Sequence, residues 1–286
     1  MSGAVTAPEL RHAIALTLTL ASREIKAQYT GTVFGRLWSF VSPLVTIAVY
    51  TVVFGLIFRG VAPVGINSGI DSFAMWIAVG VISWTYISGS IAGAMSSLVG
   101  NAGLLEKVYF PRAVLIVSSV ITATVTFLTE LLVVVIILAF VGGPQVFLWV
   151  PVSLVFVLLA AMFCTGIGFM LAIAVVWFRD IEHLWGLFNQ VWMYASGVIF
   201  PITLVAQASE TLYAHGISFN GEPLPLVELF RLNPAEQFLE AFRSLFYDYA
   251  MPSAHVWINC SIWAVGSLVL GSLIFRAKQA RIVEEL

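Results

Sequence analysis

Six apolar runs, each about as long as a bilayer is thick, decide what this chain can fold into. They cover about Trp38–Phe58, Phe73–Val99, Ala113–Val141, Val146–Phe178, Leu184–Leu204 and His255–Phe275. A helix needs about 20 apolar residues to cross a hydrocarbon core of roughly 30 Å. The fourth run is longer than that, so it must tilt, kink at its glycines or project beyond the bilayer. The rest of the composition agrees with a lipid solvent. Of 286 residues, 60% are hydrophobic and 10% charged, whereas a soluble domain carries roughly 25% charged residues. One globular core of this size does not hide so much apolar surface from water. A soluble enzyme, a disordered chain and a nucleic-acid binder with a broad basic patch are excluded. A net charge of −2 gives no bulk attraction to polyanions. An alternating strand pattern is absent, so the reading is an all-α polytopic membrane protein rather than a β-barrel. Cys164 and Cys260 lie in apolar runs and read as buried free thiols, not as a metal cage or a disulfide framework.

The few cations orient the spans. With the N-terminus inside, Arg11, Arg23, Lys26, Arg36, Lys107, Arg112, Arg179, Arg276, Lys278 and Arg281 all fall inside. Only Arg59, Arg231 and Arg243 fall outside, so ten of the 13 cations obey the positive-inside bias. Both termini are then cytoplasmic, and about Val205–Ala254 is the one large outer loop. No cleavable signal peptide is visible, and the first span would itself direct insertion into the plasma membrane.

Leu10, Ile14, Leu18, Ala21, Ile25 and Tyr29 recur at helical spacing, with Arg11, Arg23 and Lys26 elsewhere on the wheel. That pattern predicts an amphipathic helix at the inner membrane surface, where its cations favour anionic headgroups. Gly31 and Gly35 offer a bend between it and the first span. Two short inner loops follow, Gly100–Arg112 and Arg179–His183. In the first, Leu104, Leu105, Val108 and Tyr109 fit a short helix with an apolar face. An exposed apolar knob beside charged residues suits the docking of a soluble partner. On the outer side, Asn233-Pro234 followed by Glu236 reads as the N-cap, N1 and N3 of a helix. Its apolar stripe is Phe238, Leu239, Phe242, Leu245 and Phe246, and Glu236, Glu240 and Arg243 are spaced to pair along it.

Catalytic machinery is not evident. No G-x-x-x-x-G-K-[ST] phosphate loop occurs, so ATP is not expected on this chain. His12, His183, His215 and His255 lie in separate segments, not at zinc spacing. Glu130, midway along the third run, reads as a group hydrogen-bonded between helices more readily than as a proton relay. Gly89, Gly93 and Ser97, and Ser267 with Gly271, form small-residue faces that permit close helix packing.

Five segments carry a resemblance that spans nearly the whole chain. They are Arg23–Leu44, Glu106–Leu115, Trp177–Leu184, Ala195–Ile202 and Leu232–Asp248. As an ordered set they resemble the transmembrane subunit of ABC-2-type exporters of polysaccharide, the O-antigen, teichoic-acid and galactan permeases. The resemblance implies a six-span subunit that pairs with itself and with two ABC ATPase subunits holding ATP and magnesium. It implies that Leu10–Tyr29 is the interface helix, carrying Arg23, Lys26 and Tyr29, within a cytoplasmic segment 1–37 that includes the bend, and a transmembrane domain at 38–286. It makes Glu106, Lys107, Tyr109, Arg112, Arg179, Asp180 and Glu182 the coupling residues. It also implies short re-entrant gate helices before the last span, where Asn233, Glu236, Glu240 and Arg243 lie, and a pathway lined by the first and fifth spans.

A glycan chain suits that pathway chemically. Sugar rings have apolar faces on which aromatic rings stack without holding the chain in one register. Trp38, Tyr50, Phe54, Trp192, Tyr194 and Phe200 lie on the first and fifth runs, and Asn189 is costly in lipid unless it faces a wet pathway. The expected function is therefore a channel-forming permease subunit for a lipid-linked polysaccharide, itself not an enzyme. The rivals are an ABC-2 exporter of a drug or small lipid, and a polytopic glycosyltransferase. For the latter, Asp180 and Glu182 are the only close inner acidic pair. An ion-coupled transporter would show internal repeats and several intramembrane charges, and neither is evident.

Overall fold

A computed structural model describes residues 7–57, 63–107, 110–218, 222–279 and 282, with the side chains of 7–10, 29, 36 and 54–56 left aside. Among the described residues the chain is helical, and no strand is present. The helices are α1 (Ala7–Tyr29), α2 (Trp38–Tyr50), α3 (Phe73–Gly100), α4 (Ala102–Lys107), α5 (Ala113–Gly142) and α6 (Val150–Trp177). After them come α7 (Ile181–Ala195), α8 (Ile202–Ala214), α9 (Leu226–Arg231), α10 (Pro234–Phe246) and α11 (Ala254–Lys278).

Four described helical stretches are long and apolar enough to cross a membrane: α3, α5, α11 and the stretch Pro144–Trp177 that ends in α6. At 1.5 Å per residue the 28 residues of α3 reach about 42 Å. The other two apolar runs are divided. The first is α2, 13 residues long with Pro43 inside it, continued by a wider π-helical turn over Thr51–Ile57. The fifth breaks at Ser196, giving α7 and α8 in place of one helix. Gly197 there has φ +62°, a left-handed conformation that glycine adopts at little cost.

α3 is the central helix. Of its apolar stretch 67% is buried, against 28–33% in the other long helices, whose outer faces are left for lipid. Small side chains let the neighbours approach closely. A Cβ on Gly93 would sit 2.7 Å from the Ser119 hydroxyl of α5, and one on Gly168 would sit 2.5 Å from Ala94 Cβ. The tightest crossing is α6 on α11, where Gly166 and Gly271 face one another backbone to backbone. α6 runs unbroken through Gly166 and Gly168, so these glycines serve packing rather than a kink. The surplus length of the fourth run is absorbed as a 3-10 turn at Pro144–Trp149.

α3, α6 and α11 run in one direction and α5 runs back between them in sequence, which sorts the connections to two ends. At the basic end lie α4, the turn Phe178–Asp180 and the end of α11, where Lys278 Nζ stands 4.8 Å from the Trp177 ring. The last third of α1 joins them, since Arg23, Glu24 and Ala27 share a cavity with Gly100, Asn101 and Ser118. At the opposite end, residues 65–70 are tied to the segment after α10. Asn67 N–H donates to the Asp248 carbonyl at 2.9 Å, its amide donates to Tyr249 O at 2.9 Å, and Tyr249 Oη donates to Leu138 O at 3.0 Å.

α1 forms over the expected residues and ends at Tyr29, and Gly31 and Gly35 take left-handed φ values of +77° and +52° at the bend. Its contact face matches the expected stripe only in part, at Ala21. Thr17 and Ala21 are buried against α5, and the Thr122 hydroxyl lies 3.3 Å from Glu24 Oε2, while Ile14 and Leu18 stay exposed. The apolar stripe instead borders an open cleft of about 610 Å³ between α1, α2 and α5.

Candidate functional site

At the basic end, Asn101 closes α3 by donating its side-chain amide to Ser97 O at 2.8 Å, and α4 follows at once. Of the expected apolar knob, Val108 and Tyr109 lie outside the described residues, and the two leucines are not exposed. Leu105 is buried and Leu104 half-buried against the bundle, because a leucine beside an apolar surface gains more by folding back than by facing water. Glu106 and Lys107 are left facing outward, with Arg112 half-buried at the start of α5. Tyr109 lies outside the described residues. Arg179 and Asp180 form the exposed turn into α7, and Glu182 sits in its first turn, where a carboxylate favours the helix N-terminus. Arg23 and Lys26 are exposed at the same end. Nothing is described of the side chain of Tyr29.

Along the fifth apolar run, α7 buries none of its residues fully. It hangs on the bundle by an aromatic ladder. Trp192 packs edge-on against Trp84 of α3 at 5.3 Å, and Phe188 and Trp185 continue the row at 5.6 and 6.0 Å from Trp192. Two polar atoms in this ladder are buried without a hydrogen-bond partner, Asn189 Oδ1 and Trp185 Nε1. Buried polar atoms are nearly always paired, so these two mark where water or a ligand hydroxyl belongs. Tyr194 is exposed, and Phe200 lies beyond the break, its ring 6.0 Å from that of Phe230 on α9. Of the aromatic candidates on the first run, Trp38 is exposed with its ring edge-on to Phe34 at 5.4 Å, and Tyr50 is half-buried. The side chain of Phe54 is outside the description. α2 rests on α3 and α5, whereas α7 rests on α3 and α6. The two sets of rings therefore occupy different flanks of one chain.

The break itself is held by α10. Asn233 is the N-cap expected from the sequence, its Oδ1 accepting from Ala235 N at 3.0 Å. The same oxygen accepts from Trp192 Nε1 at 2.8 Å, and its amide donates to Ala195 O and Ser196 Oγ, each at 2.9 Å. One side chain thus joins the end of α7 to the start of α10. Arg243 differs from the expected pairing along its own helix. Its two terminal nitrogens donate to Gly197 O at 2.9 Å and Val198 O at 2.7 Å, and the guanidinium lies 3.5 Å from the centre of the Trp76 ring. Burial decides this. α10 is enclosed on nearly all sides, with Phe242 against Phe127 and Phe238 against Phe163, both midway along their spans. A buried cation needs fixed acceptors rather than solvent-exposed partners. Gly80 makes room, since any Cβ there would strike the Arg243 guanidinium. Trp76 and Asp248 are members of this cluster that the sequence reading did not single out. Their one signal is position: an aromatic at the start of α3 and an acid just after α10.

Burial raises the Glu236 carboxyl from 4.5 to about 7, and the charge of Glu240 pushes the same way. Burial also raises Asp248 to about 6. Both groups hold a proton more tightly folded than unfolded. Their contribution to stability is complete below about pH 4 and is lost as pH rises through 6 and then 7. The thermal midpoint of the purified protein should therefore fall between about pH 5 and pH 8. Glu236→Gln should flatten the upper part of that fall, and an unchanged slope would mean that Glu236 does not titrate there.

A model of the ABC-2 type transporter family matches residues 15–215. The chain belongs to the ABC-2 type transporter family. It is 28% identical over 273 residues to an O-antigen export system permease protein RfbA of Myxococcus xanthus, covering 95% of each chain. It is 21% identical to an RfbA protein of Klebsiella pneumoniae over 273 residues, again 95% of each, and 22% identical to another over 192 residues, 67% of this chain and 71% of that one. As a member of this family the chain is a multi-pass membrane protein. The family segment ends with α8, so α10 and Arg243 lie beyond it but within the stretch shared with the O-antigen permeases.

Proposed function

We propose that this ABC-2 chain is the channel-forming permease subunit of an ATP-driven exporter that carries a lipid-linked polysaccharide, an O-antigen or galactan, across the plasma membrane. The observation that carries the reading is the end-to-end similarity to O-antigen export permeases, 95% of each chain. The aromatic ladder of α7, with the unpartnered Asn189 Oδ1 and Trp185 Nε1, is chemistry that ring-stacking and hydroxyl-bearing cargo satisfies. Because α2 and α7 flank α3 on different sides, one copy does not enclose a channel lined by both. Two copies do, when α2 of one faces α7 of the other, so the working unit is a homodimer. Trp38, Tyr50, Phe54, Asn189, Trp192, Tyr194 and Phe200 then line the pathway. α2 and the divided fifth run complete six spans, and α9 and α10 act as re-entrant gate helices.

The basic end is the cytoplasmic end, with both chain termini there. An ABC ATPase subunit, holding ATP and magnesium, docks on each copy through α4 and the α6–α7 turn. Arg23, Lys26 and Tyr29 of α1, Glu106, Lys107, Tyr109 and Arg112, and Arg179, Asp180 and Glu182 supply the contacts. Closure of the ATPases pushes these elements, and the motion reaches the rings of α2 and α7. The test is co-purification with an ABC ATPase co-expressed with this chain. Lys107→Glu, Arg112→Glu and Asp180→Lys together should abolish co-purification while leaving membrane insertion and the melting curve intact. Retained ATPase would show that docking lies elsewhere.

A further inference from the structure

The end of the bundle opposite the basic one contains a pocket of about 230 Å³ between the α7–α8 break, α9 and α10. Its walls carry a defined set of groups. Phe200 and Phe230 are half-buried and face each other across 6.0 Å, inclined by 40°. Glu236, Glu240 and Asp248 supply carboxylate oxygens, and Arg243 supplies the one cation. Arg243 is 6% exposed, and with both terminal nitrogens committed to Gly197 and Val198 its Nε–H has no partner. A buried guanidinium N–H without a partner, on a side chain that lines a cavity, is a donor that a ligand acceptor can satisfy.

We propose that this pocket binds a single neutral sugar residue, stacked on Phe230 and Phe200 and hydrogen-bonded through its hydroxyls to the Arg243 Nε–H and the carboxylates of Glu236 and Glu240. A hydroxyl both donates and accepts, so it matches an unpaired N–H next to carboxylate oxygens, and the apolar face of the ring matches the phenyl walls. The one guanidinium in the lining is already committed to Gly197 O, Val198 O and the Trp76 face, and three acidic side chains surround it, so the pocket offers no free cation to the phosphate or pyrophosphate of a carrier lipid. A hydrocarbon tail would leave the Arg243 Nε–H without a partner. The inference deepens the export reading and rests on it for the source of the sugar: the pocket grips one unit of the glycan at the outer gate.

Binding is measured on the full chain with its ATPase in nanodiscs, by quenching of tryptophan fluorescence, since Trp76 lines the pocket. The probes are methyl glycosides of galactofuranose, galactopyranose, mannose and rhamnose, with sodium pyrophosphate as the anionic control. At least one glycoside should saturate the signal, pyrophosphate should neither bind nor compete, and Phe230→Ala and the exposed Glu240→Gln should each weaken binding about tenfold. No saturable glycoside signal in folded protein, binding that both variants leave unchanged, or competition by pyrophosphate would each overturn the proposal. Glycoside binding in a complex that translocates no lipid-linked glycan would sink the export reading and leave the pocket standing. Export without glycoside binding would do the reverse.

Discussion

Replacing Gly166 by leucine should leave almost no folded protein to purify. A Cβ on Gly166 falls on the backbone of Ser267 and Leu268, and one on Gly271 falls on the carbonyl of Gly166. Overpacking costs typically 1–3 kcal/mol where neighbouring side chains give way. Here the obstacle is main chain on both sides, so α6 and α11 must separate along their length. The expected loss is about 3 kcal/mol or more, a large share of the roughly 5–15 kcal/mol that holds a domain folded. Gly271→Leu should behave the same way. Gly266→Leu, one turn away on α11 with open space around it, is the control and should be tolerated. Detergent-solubilised yield and the profile on size-exclusion chromatography report the difference. A monodisperse Gly166→Leu protein with a wild-type melting curve would mean that the two helices do not cross this closely.

Arg243→Ala should loosen the α7–α8 break while leaving the long helices in place. The change removes donors from Gly197 O and Val198 O, strips the cation from the Trp76 face and leaves Glu236 and Asp248 without the charge that offsets them. Removing one partner from a buried charged network costs about 3–5 kcal/mol. Arg243→Lys keeps the charge but not the fork that reaches two carbonyls at once, so it should fall between the two. Hydrogen exchange resolves the effect by segment: amides of 196–201 and of α10 should exchange much faster in Arg243→Ala, while those of α3 and α6 change little. Unaltered exchange at 196–201 would show that the guanidinium does not hold the break.

Periodicity and run length revealed the elements whose physics is local. The four long helices follow from apolar length, the α10 start from Asn233-Pro234, and the bend from Gly31 and Gly35. Interactions that depend on distant chain were hidden. The run Leu184–Leu204 reads as continuous because hydropathy is blind to what Asn233 and Arg243 do to it from some 40 residues away. Arg243 looked like a partner for Glu240 because they share a helix. Enclosure of that helix by α3, α6 and α11 is a tertiary event that moves the cation to backbone carbonyls. Leu104 and Leu105 looked like a docking knob for the same reason: a loop sequence does not show the surface it folds against. The glycines shared by α6 and α11 were visible as small-residue faces, but which faces meet is decided only by the bundle.

The most direct test of the central claim is ATP-driven movement of lipid-linked glycan in proteoliposomes that contain this chain and its ATPase partner. The glycan is loaded outside, on the face where the ATPases bind, and protection from an added glycosidase is followed. The account predicts that protection accumulates only with hydrolysable ATP and magnesium, and that Trp192→Ala or Tyr50→Ala slows it without unfolding the protein. A complex that hydrolyses ATP yet never protects the glycan, with the same rate whether glycan is present or not, would contradict it.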